Sequence, residues 1–147
     1  MTRPYAPPKH LSPDLARVKA YWEGLLRGSA EIPFWDDLDL TDLPDLAGRL
    51  FLIGVFNNPD RFRLDLVGED LTTLVGTTVT GLFLDEFKPA APFDFLASQA
   101  SAAIEASAPT VMEGALADGR GYHRLVLPMW GDGRLSMLLG VVDLGRA

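Results

Sequence analysis

The chain has 147 residues, 48% of them hydrophobic, which suits one globular domain with a sizeable core. Asp and Glu number 20 against 13 Lys and Arg, and the resulting charge of −7 opposes nucleic-acid phosphates with no basic cluster to offset it. The absence of cysteine excludes disulfides, thiolate nucleophiles, zinc–thiolate sites and iron–sulfur clusters. Residues 1–11, with Pro4, Pro7 and Pro8, read as a flexible tail, and 12–147 as a single domain. This opening lacks the apolar stretch of a signal peptide, and no run approaches the ~20 apolar residues of a membrane span. The chain therefore reads as cytoplasmic, with neither membrane nor nucleic acid as a partner.

Ser12 as N-cap, Pro13 in the first turn and Gly28 at the exit predict a helix over 12–28. Leu15, Val18, Trp22, Leu25 and Leu26 recur on it at helical spacing, so it is amphipathic. That stripe suits either the chain's own sheet or a second copy, and Trp22 is the natural anchor of a dimer or partner contact. Next come Asp36, Asp37, Asp39, Asp42 and Asp45 among leucines. The glycine and terminal glutamate of a calcium loop are missing, so these aspartates read as caps of short turns, with a docking surface as the further option.

Leu50 to Phe56 is a continuous apolar run, read as a strand buried on both faces. After the turn NNPD, Phe62, Leu64 and Leu66 alternate with Arg61, Arg63 and Asp65, as on a half-wet edge strand. Gly68 turns a corner, EDLTTLV reads as a short helix ending at Gly76, and Gly81 precedes a short helical or irregular LFLDEF. A longer helix is expected over FDFLASQASAAIEAS, with Pro92 near its start and Pro109 beyond its end. Three further strands, 110–117, 122–130 and 135–144, are joined by the tight turns DGRG and GDGR. Strands flanking a helical insert predict an α+β fold with one five-stranded antiparallel sheet, its core at about residues 50–144. The last strand is the most apolar and is expected at the centre.

The stretch FRLDLVGEDLTTLVGTTVTGLFLDEF resembles the second strand and first helix of PAS domains, with Gly68, Leu71, Gly76, Gly81, Leu84, Asp85 and Phe87 in the matching places. YHRLVLPMWGDGRLSMLLGVVDL resembles the closing hairpin of that fold. YWEGLLRG and LDLTDLPDLAGRLFLIGV are similar to a bacterial subfamily of mostly stand-alone PAS proteins. The resemblance covers roughly residues 15 to 144 and implies helices over one sheet face, around a small cavity. It further implies a sensory or adaptor role, homodimerisation, and a signalling partner such as a histidine kinase.

Under that fold, Leu66, Leu71, Phe83, Phe87, Phe93 and Leu96 are placed around the cavity, and Tyr122 and Arg124 offer polar contacts to a carboxylate, with a place on the outer face beside an aspartate as the equal alternative for Arg124. The same residues equally make a packed core without ligand. A cysteine-linked flavin or chromophore is excluded, and haem has only His10 and His123 to bind, neither well placed. No nucleophile motif, metal-binding HExxH or phosphate loop is present, so the chain reads as a non-enzyme. The alternative is a small α+β isomerase or dehydratase that uses Asp, Tyr and His for proton transfer in the cavity.

Overall fold

The computed structural model describes residues 5–57 and 60–144. Its strands are β1 (Leu50–Phe56), β2 (Arg61–Val67), β3 (Thr110–Ala115), β4 (Gly121–Gly131) and β5 (Arg134–Leu144). They form one antiparallel sheet in the order β2–β1–β5–β4–β3, with the apolar β5 at its centre. Three helices join them: α1 (Pro13–Gly24), α2 (Glu69–Val75) and α3 (Leu96–Ala106). At the β4–β5 hairpin, Asp132 (φ 54°) and Gly133 (φ 76°) take the left-handed pair that a two-residue turn requires.

The two faces of the sheet carry separate cores. On the inner face Phe51, Ile53, Leu64, Val126, Leu138 and Val142 pack against α2 and α3. On the outer face Leu50, Leu125, Leu127, Leu139 and Val141 are covered by α1. Leu15, Val18 and Trp22 of α1 are buried there, and Trp22 Nε1 donates to Pro128 O at 2.9 Å. The predicted stripe is thus spent on the chain's own sheet. The helix stops at Gly24, short of Gly28, leaving Leu25 and Leu26 half-buried beyond its end. Ser12 occupies the N-cap position, but its hydroxyl makes no capping bond.

The stretch read as a loose tail is tied down from Tyr5 onward. Its carbonyl accepts from Val111 N at 2.8 Å and its hydroxyl donates to Ser98 at 2.8 Å. Residues 1–4 lie outside the described residues.

Two expectations about the edge strand are corrected. Leu52 pairs with Leu66 and Ile53 with Leu64, so Asp65 is an extra residue, a bulge. The bulge reverses the alternation: Val67 packs on the inner core, whereas Leu66 shares the outer face with Leu52. Leu66 therefore does not line the cavity. Residues 82–84, expected to be helical or irregular, are irregular but bridge to β2, with Leu64 N donating to Leu82 O at 2.9 Å and Leu84 N to Phe62 O at 2.8 Å. Opposite Arg63 in this short ladder, Phe83 turns outward onto Phe56 and stacks under the Arg61 guanidinium, 3.8 Å from its ring centroid. Leu82 and Leu84 face inward in its place. This added segment covers the open edge of the sheet.

Glycine is required where elements cross most closely. At Gly68 a side chain would collide with the Gly48 carbonyl, so the backbone corner into α2 admits no Cβ. At Gly140, opposite Phe51, a Cβ would fall inside the phenyl ring. Gly140→Ala is expected to destabilise the protein by about 1–3 kcal/mol through overpacking. Urea unfolding checks this: the midpoint should fall while the slope stays unchanged.

Candidate functional site

The inner face of β4 presents Tyr122 and Arg124, both fully buried. Strand alternation places them on one side, with His123 on the other. His123 lies 3.2 Å from Glu113 on the outer face, away from the interior, and His10 is exposed. Neither histidine faces the space between the helices and the sheet.

Arg124 is held by four bonds. Its Nε donates to Gln99 Oε1 at 2.7 Å, one terminal nitrogen donates to the carbonyls of Pro92 (2.7 Å) and Asp94 (2.9 Å), and the other to Met112 Sδ at 3.1 Å. None of these acceptors is a carboxylate. Burial pushes the guanidinium below its usual value, while Tyr122 and Asp94 oppose that shift. The Tyr122 hydroxyl donates to Asp94 Oδ1, and its ring lies across Gly114 on β3. Burial above all, and then the bond to Asp94, pushes this phenol up. At neutral pH it is a donor, not a base.

Gln99 joins α3 to the sheet. Its amide nitrogen donates to Thr110 O (3.1 Å) and Arg124 O (3.0 Å), while its oxygen takes the guanidinium. The sequence reading missed this residue, although its spacing with Leu96, Ala100 and Ala103 puts it on the buried face of α3. The expected helix over 93–107 starts later, at Leu96, because Phe95 takes a left-handed conformation (φ 59°). The segment before α3 is thereby left free to present its carbonyls to Arg124.

Of the predicted lining residues, Leu71, Phe93, Leu96 and Tyr122 belong to the inner core, and Phe87 packs against it half-buried. Arg124 lies on the same face, whereas Leu66 and Phe83 are elsewhere for the reasons given above. Phe51, which lies over Gly140, meets Phe93 edge-on with ring centroids 5.4 Å apart. The space between helices and sheet is thus filled by the chain's own side chains at this point.

The aspartates of 36–45 divide. Asp39 caps a short 3-10 turn by accepting from Thr41 N at 3.0 Å. Asp37 and Asp45 instead pair with Arg27 and Arg17 at 2.7 and 2.5 Å, and Asp42 accepts from Tyr21. Among the described residues no group of three or more His, Asp or Glu could hold a metal.

A sheet of this strand order, with short helices over one face and an extra helix on the other, is the architecture that the sequence resemblance implied. A solved light-oxygen-voltage domain, described in work with a flavin analogue, matches with a TM-score of 0.51 over 75% of this chain and 87% of that one. The fold is that of PAS domains. Identity to that structure is 19%, so the likeness concerns the fold. No protein-family model and no curated protein matches the chain. In this PAS fold none of the described helices is long and apolar enough to cross a membrane.

Replacing Arg124 by Met strands two buried oxygens, on Gln99 and Pro92, and the part-buried Asp94 carbonyl, and should cost about 3 kcal/mol or more. In a double-mutant cycle with Gln99→Ala, a coupling of about 1–3 kcal/mol is expected; additivity would mean that the two act independently. A second outcome concerns pH. The raised Tyr122 value makes its contribution complete below the unfolded value of 10.0 and lost as pH rises through the folded value. Unfolding free energy measured from about pH 9 to 12 should fall less steeply in Tyr122→Phe than in the parent.

Proposed function

We propose that the chain is a cytoplasmic sensory or adaptor module of the PAS kind, acting through a small molecule, a protein partner or both, with no catalytic output of its own. The observation that carries this reading is the Arg124 latch. One buried cation ties β4 to β3, to α3 and to the segment before it through neutral acceptors alone. An anionic group, or a partner that repacks the helices, would find a guanidinium whose present acceptors can be exchanged. The packing change would reach the outer face through β4, on which α1 rests by way of Trp22 and Pro128. Tyr122, held protonated, supports binding rather than the proton abstraction that an isomerase or dehydratase needs.

The partner is a second copy or a signalling protein such as a histidine kinase; the PAS resemblance supplies that class. Leu15, Val18 and Trp22 are occupied by the sheet, so such a partner would meet the solvent side of α1 and the half-buried Leu25 and Leu26. Native mass spectrometry of freshly purified protein tests the reading. A mass excess lost on denaturation supports the sensor, and a bare dimer supports the adaptor. A bare monomer that turns over a small carbonyl substrate would overturn both.

A further inference from the structure

Every described arginine outside the core is paired with an aspartate except one. Arg17, Arg27, Arg49, Arg61, Arg63 and Arg120 each sit in an ion pair. Arg134, at the start of β5, has its Nη1 on the Val55 carbonyl at 2.8 Å and forms no ion pair among the described residues. It lines a cleft of about 180 Å³ at the rim of the inner face, bounded by α3, by Asn57 and Asp60, and by the start of β5. Asp60 and Glu105, both exposed, line the same cleft, and neither is paired with Arg134 or with any other described cation. The rest of the wall is largely apolar: Val55 and Phe62 are buried, and Ile104 and Leu135 half-buried.

A cleft lined by one guanidinium, two carboxylates without a described cation partner and several apolar side chains carries a charge pattern with one kind of complement. A carboxylate would dock on the guanidinium in fork geometry, an ammonium would sit between Asp60 and Glu105, and an apolar side chain would cover Ile104 and Leu135. The volume of about 180 Å³, below the ~300 Å³ at which drug-sized pockets begin, suits a small molecule. We propose that this cleft binds a free α-amino acid with an apolar side chain. The Val55 carbonyl steers the guanidinium and leaves its other N–H groups for the ligand. Binding there would join α3 to the start of β5, on the face that also holds the Arg124 latch.

The inference deepens the sensory reading by naming a ligand class, and its test is independent of signalling output. Leucine is titrated into the full chain by calorimetry, alongside 4-methylpentanoate, which lacks the amine, and isoamylamine, which lacks the carboxylate. Binding of leucine alone, weakened roughly tenfold or more in Arg134→Gln and in Glu105→Gln and partly restored in Arg134→Lys, is the expected result. Glu105 is exposed and Arg134 half-buried at the rim, and circular dichroism should show the variants folded. Equal binding of either single-charge analogue overturns the zwitterion assignment, and no leucine binding up to about 10 mM overturns the site. Failure here leaves a mass excess or a dimer in the native spectrum untouched, so the two readings fail separately.

Discussion

A guanidinium held inside a protein must be given acceptors, and those that Arg124 finds come from different parts of the fold. Gln99 stands on α3, the Pro92 and Asp94 carbonyls belong to the segment leading into it, and Met112 is on β3. Each acceptor left unpaired would carry the desolvation cost of a buried polar group, so these segments hold one another in register around one cation. The carbonyls are available because Phe95 starts α3 late, and Gln99 faces inward because its helix neighbours are small. Position, backbone conformation and charge compensation are here one constraint.

Elsewhere in the sheet, a side chain from a neighbouring strand or turn lies over a glycine. Phe51 lies over Gly140, Tyr122 over Gly114, Asp65 over Gly54 and Trp35 over Gly131. A large side chain beside a missing one keeps each layer thin enough for a helix to approach, which is how the inner face fills without ligand. The outer face follows another rule. Its strands are apolar where α1 covers them and carry Arg63 and Asp65 where it does not. The result is a domain whose two sheet faces carry packed cores and whose rims are chemically distinct.

Much of the fold was legible in the residues. The five strands, the corner at Gly68, α2 with its Gly76 cap and the central place of β5 follow from alternation, turn residues and apolar content. The candidate site was legible in its polar half, since Tyr122 and Arg124 share a strand face by parity. It was misread where parity broke. A single bulge at Asp65 sent Leu66 to the other side, and an unforeseen pairing with β2 did the same to Phe83. Bulges leave no local mark in a strand, because the extra residue is set by the partner's register.

The sequence by itself determined the charge of the surface, the exclusion of thiol chemistry, the amphipathic face of α1 and the order of the elements. These depend on composition and on short-range periodicity. Only the tertiary structure decided that α1 lies on its own sheet, that Arg124 is hydrogen-bonded by carbonyls, an amide and a thioether, and that Arg134 has no carboxylate partner among the described residues. Those outcomes depend on which distant segments arrive beside a given side chain, as with Trp22 and Pro128 or Arg124 and Pro92. A side chain's identity states what it needs; the packing of remote backbone decides what meets that need.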